Sequence, residues 1–394
     1  MKKSHSIISY GLLVMTATHT LTHVFTRVHT TLFPILKDEF SLSLQQLGII
    51  AAIPPLCQAI LCIPTGLLSD KIGSKKMILI SLVASTLGAI FAARALNPTM
   101  LIVAVSLLYL NTTIYHPAAY SFVTRLFRPD NRLRALGIHG AGGTLGVAVG
   151  PISISIIMGL LTLGWRAVYF FWLFPLLLGI VATLRITSEP QEDVPDDSSS
   201  AENPTPATSL LSASLIMFLV FVGVRMVATS MSQSFIALYL VDSRGLSESL
   251  SSFLIGSTTL VGIVAAPLGG FLAVRFGEKR WLLIVLTLAY ACFGLAFLLP
   301  TNGGFIVLYL AYGFLNVLGM AANSAIMAKL TPGKQRGLGY ALFFLPGSIM
   351  GAVAPVIAAS IAEAFTLSSI FYASTAVFFL SLGVLKFGVR VQSS

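Results

Sequence analysis

His19, His23, Arg27, His116, His139 and Arg225 stand inside apolar stretches of this sequence, and they are the side chains equipped for chemistry. Imidazole titrates near neutrality and takes up or releases a proton across a physiological gradient. Guanidinium binds carboxylate, phosphate or phosphonate through paired hydrogen bonds. All fourteen acidic residues, in contrast, fall in polar stretches or at the ends of apolar ones. A pathway lined by cations and imidazoles without an acid favours an anionic or zwitterionic solute. Thr16, His19, His23, Thr26 and Thr30 recur at spacings of 3, 4, 3 and 4, which puts them on one helical face with Arg27 at its border. Arg225, Thr229 and Ser232 form a second polar stripe. No paired acid or nucleophile accompanies the histidines, so no catalytic residue is expected and the chain is not read as an enzyme. His19 and His23 have the i, i+4 spacing of metal ligands, but no third ligand stands nearby in sequence, and no metal is expected. There is no Walker loop, so ATP is not the energy source, and no cofactor is expected.

These residues need elements to hold them in place. The chain has 394 residues, 56% of them apolar and only 10% charged, so its solvent is mostly lipid. Runs long enough to cross a bilayer lie at 8–36, 43–68, 76–95, 99–122, 134–160 and 165–186, then 210–241, 249–273, 281–300, 303–328, 336–362 and 367–388. Helices are the open-ended elements that satisfy their own backbone in hydrocarbon, so the expected fold is an all-α integral membrane protein with twelve transmembrane helices. With the N-terminus in the cytoplasm, eighteen of the twenty-four basic residues fall at cytoplasmic ends, which puts both termini inside. The net charge of +10 therefore reflects topology, and no nucleic-acid partner is expected. Residues 187–209 carry acids among Pro and Ser without a basic residue and read as a cytoplasmic linker between halves 1–186 and 210–394. Cys57, Cys62 and Cys292 all lie in apolar spans and offer no disulfide framework.

The halves repeat. Gly66-Leu67-Leu68-Ser69-Asp70-Lys71-Ile72-Gly73-Ser74-Lys75-Lys76 returns 204 positions later in degenerate form, from Gly270 through Arg275 and Gly277 to Lys279 and Arg280. At the same offset Gly143 maps to Gly347, Pro151 to Pro355 and Arg132 to Arg336. Gly143, Gly146 and Gly150 with Pro151, and Gly347 with Pro355, are expected to pack helices 5 and 11 closely and let them bend. In helix 4, Pro117 after His116 is expected to break the helix at membrane depth.

The G-x-L-x-D-K/R-x-G-x-K/R-K/R loop resembles the signature of the major facilitator superfamily of transporters. His116-Pro117, the Gly-rich run of helix 5, and His19 fifteen residues before Pro34 resemble the fosmidomycin-resistance-type branch, whose members are taken to be proton-coupled exporters. That branch carries a carboxylate where this chain has His23, and some members have an acid where it has Ala118. The resemblance implies two pseudo-twofold-related six-helix bundles alternating access to a midplane cavity. It also implies a conformational latch at Gly66, Asp70, Lys71 and Gly73, with Asp70 against the start of helix 11; a helix N-terminus favours that charge.

The expected function is proton-coupled export of a small organic anion or amphiphilic drug-like compound by a monomer in the inner (plasma) membrane. His19, His23, Thr26, Arg27, His116, His139, Arg225 and Thr229 are the expected pathway. The alternative on the same fold is an importer or facilitator of a nutrient anion or zwitterion. An intramembrane enzyme or a receptor is more remote.

Overall fold

The computed structural model describes residues 9–127, 129–186, 212–331 and 336–391. The linker expected at 187–209 lies outside them, and Gly66 and Asp70 lie outside the residues whose side chains are described. Eleven helical segments among the described residues are long and apolar enough to cross a bilayer, from Leu44–Cys62 to Leu367–Gly388. The first span does not qualify because it is broken into α1 (Tyr10–Val24), α2 (Val28–Thr31) and α3 (Phe33–Glu39). Counting it, the architecture has the twelve spans expected.

The first half continues with α4 (Leu44–Ile72), α5 (Ser74–Ala93), α6 (Pro98–Leu126), α7 (Pro129–Ile154) and α8 (Arg166–Leu184). The second half comprises α9 (Ala213–Leu238), α10 (Glu248–Leu260) with α11 (Gly262–Phe276), α12 (Glu278–Leu298), α13 (Asn302–Leu318) with α14 (Met320–Leu330), α15 (Arg336–Ala364) and α16 (Leu367–Gly383). Polar side chains cap several starts. Ser9, Asn97, Ser212 and Ser247 each accept from the backbone N–H three residues on, satisfying a donor the helix cannot.

Two features show the repeat in three dimensions. Gly73 and Gly277, 204 positions apart, both take positive φ, 89° and 81°, a conformation a side chain would strain. Two residues on, Lys75 donates to the carbonyls of Leu184 and Ile186 at 3.0 and 2.6 Å. Its counterpart Lys279 donates to those of Lys386 and Val389, again at 3.0 and 2.6 Å. Each lysine ties the start of a third helix of its half to the carbonyls ending the sixth, where cations are favoured.

Inside the first half, α1 packs on α7 through a ladder of glycines. A Cβ on Gly142, Gly146 or Gly150 would lie 2.4, 2.2 or 2.0 Å from the carbonyl oxygens of Thr16, Thr20 and Val24. The matching spacing of four on both helices lets the backbones touch, as small residues do in lipid. Gly143 differs, facing side chains rather than backbone. Gly347 departs from expectation: among the described residues nothing lies within 4 Å of where its Cβ would be. The close approach in the second half falls elsewhere, at Gly269 against Leu318 O (2.2 Å) and Gly313 against Thr258 O (2.5 Å). Pro355 does sit at a contact, its carbonyl 3.0 Å from a Cβ on Gly48.

Proline did not act as expected in helix 4. α6 runs unbroken through Pro117, because losing one N–H bond is tolerated where neighbouring helices hold the segment. α7 likewise runs through Pro151 and ends in a π-helical turn at Ser155–Leu160. The break lies in the first span, at Phe25–Arg27, where no proline stands.

The halves meet through α4 against α15 and α7 against α10. Polar links between them gather at the end remote from the termini. Lys37 pairs with Asp242 at 2.6 Å, Gln45 bonds Glu363 and Ser360, and Ser155 bonds Ser249 at 3.0 Å. The structure is thus closed at that face.

Candidate functional site

The break in the first span organises the centre of the molecule. After His23 the backbone turns, and the carbonyl of Thr26 accepts from the Tyr109 hydroxyl of α6 at 3.1 Å. Arg27 caps α2, and its carbonyl accepts from Thr30 and Thr31 at 3.2 and 2.7 Å. The single stripe expected from Thr16 to Thr30 is therefore two pieces. Thr16 and Thr20 face helix contacts, Thr20 donating to Gly142 O at 2.9 Å, while His19, His23 and Thr26 turn inward. Interrupted helices at membrane depth recur where transporters bind solutes and ions.

His19, His23 and His116 come together, although 97 residues separate the first from the last. His116 Nε2 lies 3.3 Å from His19 Nε2 and 3.1 Å from His23 Nε2. His19 Nδ1 donates to the His139 carbonyl and His116 Nδ1 to the Thr112 carbonyl, both at 2.7 Å. His139 joins through its ring, stacked on His19 with centroids 4.1 Å apart. Gly143 makes the room: a Cβ there would lie 2.7 Å from His19 Cε1 and 2.8 Å from Nε2. Its role is to admit imidazoles, not to bring backbones together. The third imidazole that sequence spacing did not supply beside His19 and His23 comes from α6 instead, one nitrogen of each ring lying within 4.8 Å of the others. A cavity of about 160 Å³ opens beside these rings, bordered by Thr22, Thr26, Gln58, Tyr109 and Thr112.

Arg225 in α9 is buried, donating from Nη2 to Asn316 Oδ1 at 2.9 Å, while its Nε has no partner among the described residues. It does not snorkel toward an interface. Thr229 turns away from this work, donating to the Arg225 carbonyl at 3.0 Å, and Ser232 bonds its own helix. Arg27 lies in electrostatic reach of Tyr109, Tyr309 and Tyr312, and Arg225 of Tyr290 and Tyr312. Tyr312 of α13 thus interacts electrostatically with two guanidinium groups, one from each half. The first and seventh spans pack together through α2 and α3 against α9, and Tyr312 of the tenth span is in electrostatic reach of both Arg27 and Arg225.

Several of these residues escaped the sequence reading. Tyr309, Tyr312 and Asn316 share one face of the tenth span at i, i+3 and i+7, a pattern that was there to find. His29 is also inside the first span, fully buried between Phe33 and Tyr109 with no hydrogen-bond partner for either ring nitrogen among the described residues. Lys71 lies exposed at the end of α4 and Gly73 in the turn after it; with Asp70 outside the described side chains, the latch stays a proposal.

The broken first span, two repeated halves and a polar centre between them are the marks of a membrane transporter. The profile of the Major Facilitator Superfamily matches residues 15–310 and 213–393, and the chain belongs to that family. It is 30% identical to the uncharacterized MFS-type transporter YfnC of Bacillus subtilis (strain 168), over 87% of this chain and 85% of the relative. It is 24% identical to the hexuronate transporter of the same organism, over 90% and 88% of the two chains. Similarity to the fosmidomycin resistance protein of Escherichia coli (strain K12) is 23% identity over 69% and 67%. Among solved structures it resembles a bacterial homologue of the human lysosomal transporter Spinster, inward-facing and occupied. The TM-score is 0.84 at 18% identity, covering 99% and 98% of the chains. The chain is a transporter, not an enzyme, and its solute is a small molecule.

Proposed function

We propose that this transporter moves a small organic anion, or an amphiphilic compound carrying an anionic group, by proton-coupled export. The observation that carries the reading is the pair of guanidinium groups, Arg27 and Arg225, which belong to opposite halves and both interact electrostatically with Tyr312, while the apolar spans of the sequence carry no carboxylate. A buried cation without a counter-ion is costly in a membrane, and an anionic solute relieves that cost when it binds. Because the two groups belong to different halves, the solute is held only when both halves face it, which suits alternating access. The hexuronate and fosmidomycin relatives are named for anionic compounds, in keeping with this reading. Proton coupling would run through His19 and His23, with His116 and His139 beside them, in place of the carboxylate relay of other members. The Lys and Arg distribution favours both termini in the cytoplasm, and the chain is read as a monomer of the plasma membrane. The face closed by Lys37 and Asp242 is then the external one.

The test is counterflow in proteoliposomes under an imposed pH gradient, using hexuronates and phosphonates as probes. Anion-dependent flux that Arg225→Ala abolishes supports the reading. Flux indifferent to Arg225, or selective for organic cations, ends it. Accumulation with the proton gradient rather than against it would turn export into import on the same site.

A further inference from the structure

The His19, His23 and His116 cluster has a geometry that proton relay does not require. A carbonyl oxygen only accepts hydrogen bonds, so the Nδ1 atoms of His19 and His116, each 2.7 Å from one, both carry hydrogen. In the neutral rings each Nε2 is then a bare lone pair, and these two lone pairs face each other across 3.3 Å. His23 brings its own Nε2 to 3.1 Å from that of His116, and its Nδ1 lies 3.3 Å from the Thr26 hydroxyl, which can accept its hydrogen. One atom from each of the three rings falls within 4.8 Å of the others.

Zinc binds imidazole nitrogen at about 2.0–2.1 Å in a tetrahedron, which sets neighbouring nitrogens roughly 3.4 Å apart. Two of the three edges here are 3.3 and 3.1 Å. Metal-ligating histidines characteristically donate their other N–H to a carbonyl, carboxylate or water, and two of these rings do so to backbone carbonyls. Gly143 leaves the space in which the His19 ring lies. The remaining side opens on the cavity of about 160 Å³.

We propose that His19, His23 and His116 form a binding site for a divalent transition metal of the zinc type, with the fourth position open to the cavity. All-imidazole ligation suits zinc, copper, nickel or cobalt and disfavours magnesium and calcium, which want oxygen. Three neutral ligands leave the ion's charge of two uncompensated, so the open position takes an anion, either hydroxide or an acidic group of the solute. Metal and coupling proton use the same lone pairs and exclude each other, so a bound ion arrests proton-coupled flux. The site stands on the ligand geometry alone, whatever the solute proves to be.

The experiment uses the purified, untagged full-length chain, stripped with chelator and titrated with cobalt(II). The expected result is one equivalent per chain with the intense visible bands of four-coordinate cobalt, displaced by zinc. His19→Gln and His116→Gln should each weaken cobalt binding more than about tenfold, while His29→Gln, outside the cluster, leaves it unchanged. His116→Cys, which keeps a ligand, should retain binding and add a thiolate-to-cobalt band. Each variant is checked for a monodisperse elution profile first; if His116→Gln does not survive, the cysteine variant and the wild-type spectrum decide. Absence of stoichiometric cobalt, six-coordinate spectra, or equal binding in His19→Gln and wild type would overturn the proposal. Those outcomes leave the anion reading at Arg225 untouched, since it is measured by flux in metal-free buffer.

Discussion

The two halves share a shell and differ in their interiors. At the shell, Gly73 and Gly277 turn the chain alike, and Lys75 and Lys279 each clamp two carbonyls at the end of the sixth helix of their half, at equal distances. Inside, the first half holds five histidines, four of them clustered beside the glycine ladder. The second half has no imidazole in its spans; it holds Arg225, Asn316 and a packed set of Tyr and Phe that includes Tyr290, Tyr312, Phe293 and Phe378. Duplication kept what makes a six-helix bundle close and freed the interior to specialise. One half is suited to hold protons or a metal ion, the other to hold an anion. The break in the first span, which brings Arg27 toward the tyrosines of the tenth, joins the two chemistries.

The sharpest way to break this comparison is through the glycines. Gly150→Leu or Gly146→Leu would drive a side chain into a backbone carbonyl that lies 2.0–2.2 Å from the Cβ position. Overpacking costs at least about 1–3 kcal/mol, and here backbone must move, so little folded protein should be recovered. Gly347→Ala, at the equivalent of Gly143, should elute and melt like wild type, because no described residue lies within 4 Å of its Cβ position. Thermal unfolding in detergent checks both. A severe Gly347→Ala defect would restore the symmetry that the structure lacks.

Next in size is the division of chemistry. Arg225→Ala should remove anion-dependent flux, and Arg225→Lys should recover only part, since a point charge cannot reproduce the fork. Asn316→Ala loses one hydrogen bond to a charged group, about 1.5–3 kcal/mol, and should weaken apparent affinity roughly tenfold to a hundredfold. The double change His19→Asn, His23→Gln should instead leave downhill anion exchange intact and abolish accumulation driven by a pH gradient. If the histidine changes abolished anion exchange as well, the interiors would not be separable. Smaller still, Lys75→Ala and Lys279→Ala should destabilise equally, by about 1–3 kcal/mol each. Unequal shifts in melting temperature would show that the shell has diverged too.

Much of this was legible in the sequence because lipid simplifies the code. Apolar length yields the spans and an offset of 204 the repeat; the helix bounds differ from those expected by a few residues. What could not be read was which spans touch. His116 joins His19 and His23 only because α6 crosses α1, and no local pattern states that crossing. The first-span break was hidden for another reason. Phe25, Thr26 and Arg27 include no Gly or Pro, and the turn persists because Tyr109 takes the freed Thr26 carbonyl. Pro117 misled in the opposite sense, being a breaker in isolation yet held straight by its neighbours.

The smallest effect compares two acid–base pairs at the closed face. Glu39 bonds Arg166 at 2.6 Å and the Trp165 indole, all within the first half, whereas Lys37, two residues earlier, reaches Asp242 in the second. Partial burial works to raise the Glu39 carboxyl, but the hydrogen bonds from Arg166 and Trp165 outweigh it and hold it below its ordinary value of 4.5. A carboxyl held low in the folded state binds fewer protons there than in the unfolded chain. Its stabilisation is complete above 4.5 and fades as pH falls through the lower folded value. Glu39 is about one-third exposed, so solvent screens the pair and its contribution stays under about 1 kcal/mol. Glu39→Gln should therefore lower the melting temperature slightly at pH 7 and flatten its decline below pH 4.5, without changing transport. Asp242→Asn should behave differently, because its ion pair spans the halves and is lost each time that face opens. Its signature is a shift in accessibility of the closed face, read by cysteine labelling at Ser249→Cys, with little change in melting. Should Glu39→Gln raise labelling as much as Asp242→Asn does, then both pairs hold the gate, and the distinction between a bond within a half and a bond between halves fails at this face.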